Sequence, residues 1–264
     1  MSFAEAKKMT TLAQLEVART ERISPNFVRV TLVGDDVARI PNHGFDHWFR
    51  LFLPQEDGST DFDVPERYDL LGYLKYLRMP GPTRPHQRNY TVRELRHETN
   101  ELDIDFVVHG DEGVATRWVT RTQPGDRVAL LDQGCGFDLV DGADEFVLAG
   151  DETGLPAVVG ILNSLPRDAR GVAFIEIADA ADQQPVDAPA GMDVQWLVRE
   201  PSARPGSLAL ERGLAWSPTG TNVNAYLCGE QALAAGLRRH LVTTHGVAKK
   251  SVAFSGYWKL GASH

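Results

Sequence analysis

At 264 residues the chain can divide into two ordinary domains, each with a core of its own. It is 42% hydrophobic and 24% charged, and its two cysteines are too few for a disulfide framework or a Cys-rich zinc or iron–sulfur site. A formal net charge of −9 argues against a broad nucleic-acid footprint and means that an anionic ligand must be drawn in by a local basic patch.

The first stretch, Met1 to Thr20, carries lysines but no apolar core of signal-peptide length, and no later run is long enough to span a membrane. A cytoplasmic location without a membrane partner is therefore expected. From about Leu12 to Leu131 the chain reads as short β-runs: Ala13–Thr20, Phe27–Leu32, Trp48–Leu53, Arg88–Arg93, Leu102–Val108 and Arg127–Leu131. Gly, Pro, Asn and Asp punctuate them. Leu102, Ile104, Phe106 and Val108 alternate with Asp103, Asp105 and Val107, which predicts a half-buried strand. An antiparallel barrel is the natural way for so many short strands to remove their edges. Between Pro54 and Gln87 lies a long connection in which Tyr68–Leu77 has helix-like apolar spacing, suited to a lid or packing helix.

The run Arg88-Asn89-Tyr90-Thr91-Val92-Arg93 is the densest in chemistry. As a strand it puts Arg88 and Tyr90 on one face, Thr91 and Arg93 on the other. A ring, a hydroxyl and fixed cations suit a planar, phosphorylated ligand. The ring can lie against a flavin, a hydroxyl or amide can reach its N5–O4 edge, and an arginine can hold a phosphate bidentately. An ordinary amphipathic strand with solvated arginines has the same pattern. Downstream, His109 to Trp118 follows a strand and enters a helix. Amides near Gly113–Thr116 could receive a pyrophosphate at the positive helix end, with the Thr116 hydroxyl and Arg117 nearby, and a capped surface turn is the plain alternative.

After Asp141 the rhythm changes to strand–helix alternation. Strands are expected at Glu145–Ala149, Val172–Ile177, Val194–Val198, Ala225–Cys228 and Ser251–Tyr257, with helices at Leu155–Leu165 and Gln231–His245. The pattern favours a parallel sheet covered on both faces, and ligands of such sheets gather beyond the carboxyl ends of the strands. Gly150-Asp151-Glu152-Thr153, Cys228-Gly229-Glu230 and Gly256-Tyr257-Trp258-Lys259 fall at those ends. Thr153 or Asp151 could instead simply cap the next helix. No Gly-x-Gly-x-x-Gly is present, since Gly134-Cys135-Gly136 lacks the third glycine. The eight histidines show no metal-ligand spacing. His43 and His47 could share a helix face, but no carboxylate-and-histidine set follows, so packing or surface roles and no metal site are expected. Cys135 and Cys228 read as structural thiols, and no Ser/His/Asp arrangement marks a catalytic residue.

The ordered set Arg88–Arg93, Asp103-Ile104-Asp105-Phe106-Val107-Val108-His109-Gly110, Gly150-Asp151-Glu152-Thr153-Gly154-Leu155-Pro156, Tyr226-Leu227-Cys228-Gly229-Glu230 and Phe254-Ser255-Gly256-Tyr257-Trp258 resembles the siderophore-interacting protein family, flavin-dependent ferric-siderophore reductases of the ferredoxin-reductase-like superfamily. The resemblance implies an N-terminal antiparallel β-barrel for FAD, over residues 1–141, and a C-terminal parallel-sheet α/β domain for NADH or NADPH, over 142–264. It implies that Arg88, Tyr90, Thr91 and Arg93 line the flavin, and that His109, Gly113, Ala115 and Thr116 bind its adenylate or pyrophosphate part. Asp151, Glu152, Thr153, Gly229, Glu230, Tyr257 and Trp258 would face the nicotinamide side. Val114 stands where the family usually has proline, Thr116 where it has serine, Arg50 where it has lysine, and Lys259-Leu260 where two basic residues are common. Arg50 and Lys259 are the candidate contacts of an anionic ferric-siderophore, with solvated surface charges as the equal alternative. The implied reaction passes electrons from a nicotinamide, or from a protein donor, through FAD to chelated ferric iron, in a monomer. A general flavin reductase with another acceptor, or a non-catalytic flavin- or siderophore-binding protein, is the alternative.

Overall fold

The computed structural model describes residues 11–108 and 113–262. The chain forms two units. One comprises residues up to His43 and His47–Cys135; the other comprises Gly44–Asp46 and Gly136 onward.

The first unit is a seven-stranded sheet in the order β4-β3-β7-β1-β2-β6-β5. Its strands are β1 (Leu12–Ser24), β2 (Phe27–Val33), β3 (Trp48–Leu53), β4 (His86–Thr91), β5 (Glu94–Arg96), β6 (Glu101–Val107) and β7 (Arg127–Asp132). Every pairing is antiparallel. Two register shifts along β1 let it bend. The segment between β4 and β5 joins the two ends of this order. Val92 N–H donates to His47 O at 2.8 Å, and the next amide, of Arg93, donates to Asp103 O at 2.9 Å. One residue thus serves the β3 side and its neighbour the β6 side, which makes the sheet barrel-like. Leu15, Val30, Leu32, Phe49, Leu51, Ile104, Phe106 and Leu130 fill the core.

Two expectations change here. The strand expected over Arg88–Arg93 stops at Thr91, because Val92 and Arg93 turn the corner; alternation therefore orders Arg88, Tyr90 and Thr91 but not Arg93. β6 is buried on both faces rather than half-buried, with Asp103 and Asp105 only 4% and 3% exposed. Arginines cover its polar face: Arg29 grips Asp105 bidentately at 2.7 and 2.9 Å, and Arg96 reaches both oxygens of Asp103 at 2.8 and 2.9 Å. Buried charge is tolerable when paired and hydrogen-bonded in this way.

In the long connection, α1 (Leu70–Arg78) starts on Asp69, whose carboxylate accepts from Gly72 N–H at 2.9 Å. Tyr68 and Tyr76 pack on Phe52, Ala129 and Leu131, the outer face of β3 and β7, whereas Leu70 and Leu71 stay exposed. After β6, α2 (Val114–Arg121) buries Trp118 and Val119.

The second unit is a five-stranded sheet, β10-β9-β8-β11-β12, parallel throughout. It contains β8 (Glu145–Gly150), α3 (Leu155–Ser164), β9 (Arg170–Ile177), β10 (Gly191–Val198), α4 (Ser207–Ala215), β11 (Val223–Glu230), α5 (Gln231–Thr243) and β12 (Val252–Trp258). The central strands β8 and β11 are buried along their whole length, as strands covered on both faces should be. Helix α4 has no counterpart among the expected elements. Its first turn is held by a distant carboxylate, Glu176 on β9, which accepts from Gly206 N–H at 2.7 Å and Ala209 N–H at 2.9 Å. Gly44–Asp46 is tied into this unit: Phe45 N–H donates to Ser164 Oγ at 2.9 Å, and Asp46 accepts from the amides of Gly136 and Phe137. No helix among the described residues is long and apolar enough to cross a membrane.

Candidate functional site

In the first unit the chemistry gathers at the corner after β4. Register pairs Arg88 with Leu51 and Tyr90 with Phe49, so these two share the core-facing side, while Thr91 lies opposite Trp48 on the other. The half-buried Tyr90 ring sits 4.3 Å, centroid to centroid, from Phe106. Phe106 in turn lies 5.5 Å from Trp118 of α2, so one aromatic links the corner to the helix. Burial pushes the Tyr90 phenol up, so it acts as a neutral ring and hydroxyl. Arg93 lies 3.4 Å from Asp105; burial lowers its guanidinium and Asp105 opposes that shift. Arg88 donates to the Gln87 carbonyl at 2.7 Å.

Helix α2 begins at Gly113, with no side-chain cap among the described residues, and the amides of Val114, Ala115 and Thr116 lead its positive end. Arg117 is engaged by Glu56 at 3.0 Å. His109 lies outside the described residues. Guanidinium, ring, hydroxyl and leading helix amides form a donor set that fits a planar ring carrying a pyrophosphate.

On the outer face of β3, the Arg50 guanidinium lies 4.2 Å from the Tyr68 ring centroid and 5.6 Å from that of Trp48. Its buried Nε has no hydrogen-bond partner, and among the described residues no carboxylate lies in ion-pair range. Burial lowers this cation, with only the Tyr68 phenol opposing. A desolvated guanidinium beside two rings, with no counter-ion among the described residues, is matched to an anion from outside.

In the second unit the strand-end clusters interlock through Asp151, which is fully buried. Its Oδ1 accepts from Thr153 N–H at 2.9 Å and Thr153 Oγ at 2.6 Å; its Oδ2 accepts from Glu230 N–H at 2.7 Å and Trp258 Nε1 at 3.0 Å. Burial raises this carboxyl and Thr153 opposes. Glycines make the approach possible. Gly229 has φ +99°, and a Cβ there would fall 2.5 Å from Asp151 Oδ1; a Cβ on Gly154 would fall 2.4 Å from Cys228 Sγ. Glu152 pairs bidentately with Arg199 at 2.8 and 2.9 Å, and Arg199 also reaches Glu176 at 2.9 Å. Glu230 caps α5, accepting from Ala232 N–H at 2.6 Å.

The carboxylates of Asp151, Glu152 and Glu230 are thus engaged internally and shape the strand ends. Tyr257, Lys259 and part of Thr153 and Trp258 are what the strand ends offer outward. Tyr257 OH lies 2.7 Å from Tyr226 OH, and burial pushes the Tyr226 phenol far up. Cys228 is fully buried, and burial pushes its thiol far up. Arg199 and Glu176 carried no signal in the sequence, because their partners lie 47 and 23 residues from Arg199 along the chain.

Sequence spacing allows His43 and His47 a shared helix face and points to no carboxylate partner for them. His43 and His47 lie on no helix; both rings face Asp132 at the end of β7, with Nε2–Oδ distances of 3.4 and 2.8 Å. The carboxylate is 85 residues beyond His47, brought in by the β3–β7 pairing of Phe49 with Asp132.

Residues 16–135 match the sequence model of the siderophore-interacting FAD-binding domain, and residues 143–261 that of the siderophore-interacting protein. The ferric vibriobactin reductase ViuB of Vibrio cholerae is 31% identical over 249 residues, covering 94% of this chain and 89% of that protein. The NADPH-dependent ferric-chelate reductase of Escherichia coli is 32% identical over 201 residues, covering 74% of this chain and 75% of that protein. The crystal structure of a siderophore utilization protein from T. fusca superposes with a TM-score of 0.79 at 36% identity, covering 97% of this chain and 95% of that one.

Proposed function

Because the chain belongs to the siderophore-interacting protein family, we propose that it reduces ferric-siderophores, with FAD as its flavin and NADH or NADPH as electron source. The observation that carries the reading is the barrel corner, where Phe106 lies against both the Tyr90 ring and Trp118 of α2 and so joins the run holding Arg88, Thr91 and Arg93 to that helix. There Tyr90 supplies a ring for the isoalloxazine to lie against, Thr91 a hydroxyl for its N5–O4 edge, and Arg88 and Arg93 the cations for its phosphates. Gly113, Ala115 and Thr116 bring amides to the pyrophosphate. Bound there, FAD supplies the step from hydride transfer to single-electron transfer that ferric iron needs.

Thr153, Gly229, Tyr257 and Trp258 receive the nicotinamide side, with Asp151, Glu152 and Glu230 holding that surface in shape from behind. Arg50 takes the anionic ferric-siderophore, supported by its lack of a carboxylate partner among the described residues, and Lys259 adds charge at the end of β12. Ferrous iron carries less charge than ferric, so a hard oxygen chelator releases it after reduction. The protein acts as a monomer in the cytoplasm.

The test is anaerobic mixing of purified protein with NADH or NADPH, a ferric-siderophore and a chromogenic ferrous trap. Donor-dependent ferrous signal from a protein carrying flavin absorbance is expected. A protein with neither flavin bands nor donor-dependent signal would refute the assignment.

A further inference from the structure

We propose that His43, His47 and Asp132 form a binding site for one ferrous ion, so that iron leaving its chelator passes to protein ligands before release. The identity of the ion as reaction product rests on the reductase reading; the ligand set does not.

Among the described residues these three form the one cluster of at least three His, Cys, Asp or Glu side chains whose ligand atoms lie within 4.8 Å of one another. Ligand atoms at about 2.1 Å from a transition ion stand about 3.0–3.4 Å apart in octahedral or tetrahedral arrangements. His47 Nε2 stands 2.8 Å from Asp132 Oδ1 and His43 Nε2 3.4 Å from Asp132 Oδ2, and the three ligand atoms lie within 4.8 Å of one another, so an ion would draw the two imidazoles in around one carboxylate. Two imidazoles and one carboxylate with positions left open are a donor set suited to ferrous iron. A hard oxygen chelator prefers the ferric state, so reduction itself shifts iron toward the imidazoles.

The cluster is fixed from behind. Gly134 N–H donates to Asp132 Oδ1 at 3.0 Å, and Trp48, next to His47, exchanges backbone bonds with Gln133 and Gly134 at 3.1 and 2.9 Å. Such support orients ligands and commonly alters affinity 10–100-fold. His47 and Asp132 are buried, while the His43 side chain is 20% exposed and gives the cluster its opening. His47 Nδ1 is buried with no partner among the described residues, so the ring can carry its proton there while Nε2 takes the ion.

The test uses untagged, flavin-loaded protein without oxygen. Titration with Co²⁺, read by its d–d absorbance, and dialysis against Fe²⁺ should each give one equivalent per chain. His43→Gln, at the exposed ligand, should weaken both at least tenfold while leaving the melting temperature of the metal-free protein unchanged; Asp132→Asn should abolish the Co²⁺ spectrum. In a single turnover with a ferric chelate, one equivalent of Fe²⁺ should reach a chromogenic trap late, and His43→Gln should remove that lag. Absence of saturable binding, or binding that His43→Gln leaves unaltered, overturns the site even if ferric chelates are reduced. Binding by these residues in a protein that reduces no ferric chelate overturns the product role together with the reductase reading.

Discussion

Trp258 Nε1 donates to Asp151 Oδ2 at 3.0 Å, tying the end of β12 to the loop after β8. The same oxygen accepts Glu230 N–H from the end of β11, so one carboxylate joins the carboxyl ends of three strands. Each of its two oxygens accepts two hydrogen bonds, a role that suits a carboxylate and that an amide NH₂ cannot fill. Asp151→Asn places an NH₂ against donors on at least one side. It should lower the stability of the second unit by about 2–3 kcal/mol in urea unfolding, as expected for a buried donor left unsatisfied. Trp258→Phe removes a single bond and should cost about 1 kcal/mol. Equal losses would show that the carboxylate is not the organising group.

Gly154 is a glycine because of Cys228. Its backbone, at φ −86° and ψ −12°, would accept alanine, but the new Cβ would stand 2.4 Å from Cys228 Sγ. Gly154→Ala should destabilise by about 1–3 kcal/mol, the usual cost of overpacking. Combined with Cys228→Ala, most of that loss should return, and a double-mutant cycle measures the coupling. Simple additivity would show that the clash is relieved elsewhere.

The Arg50 guanidinium lies beside the Trp48 and Tyr68 rings, and no carboxylate of the described residues is in ion-pair range of it. Arg50→Ala should raise KM for the ferric-siderophore about tenfold or more while leaving flavin content intact, since loss of a charge-assisted contact is worth about 1.5–3 kcal/mol. Arg50→Lys keeps the charge but not the planar stack and should fall between. Steady-state kinetics with an anionic and a neutral chelate separates the two terms; an equal effect on both would refute the anion role.

Arg93 shares Asp105 with Arg29. Arg93→Ala should weaken FAD retention about 10–100-fold, the value of one bidentate phosphate contact, while Arg29 continues to neutralise Asp105 and the fold persists. Flavin fluorescence during dilution reads the affinity directly. Unchanged occupancy would remove Arg93 from the flavin site.

Acid should unfold the protein in a defined window. Hydrogen bonding from Arg19, then Arg96, holds the Glu101 carboxyl at about 2, and amide donors of Thr221 and Asn222 hold Asp144 at about 2. Both folded values lie below the ordinary carboxylate value of about 4, so these groups contribute stability above that pH and lose it as pH falls toward about 2. The urea midpoint should decline between about pH 4.5 and 2, and Arg96→Gln should make the decline shallower. Asp151 titrates in the opposite sense: burial raises it, so its contribution falls as pH rises through its folded value. A midpoint that holds steady down to about pH 2 would contradict the pairing at Glu101.

Much of the architecture could be read locally. Trp48–Leu53 runs between the residues expected of it, and β6, β8, α3 and α5 lie within a few residues of their expected bounds. Hydrophobic period and turn residues report short-range preferences, and those elements obey them. Elements set by distant partners were hidden. β5 is three residues long and exists only where the chain turns to meet β6. Helix α4 takes its N-terminal hydrogen bonds from Glu176, which sequence spacing does not reveal.

The candidate site divides in the same way. The sequence by itself determined the chemical inventory: Arg88, Tyr90, Thr91 and Arg93 in one run, glycines beside acidic residues at strand ends, and a change from β-runs to strand–helix alternation after Asp141. Residue type and local spacing are properties of the chain; they admit a flavin and a nicotinamide beside plain strands and capped turns, and the family resemblance of the ordered motifs is what points to those cofactors. Tertiary structure alone decided which of these groups face outward and which are consumed in holding others. It turned Asp151, Glu152 and Glu230 inward onto Trp258, Arg199 and the start of α5, and left Arg50 without a counter-ion among the described residues. It also brought Asp132 to His43 and His47 through a strand pairing that no local pattern encodes. Hydrogen bonds and charge pairing act through space, so the fate of a polar side chain depends on which distant donor the fold delivers to it.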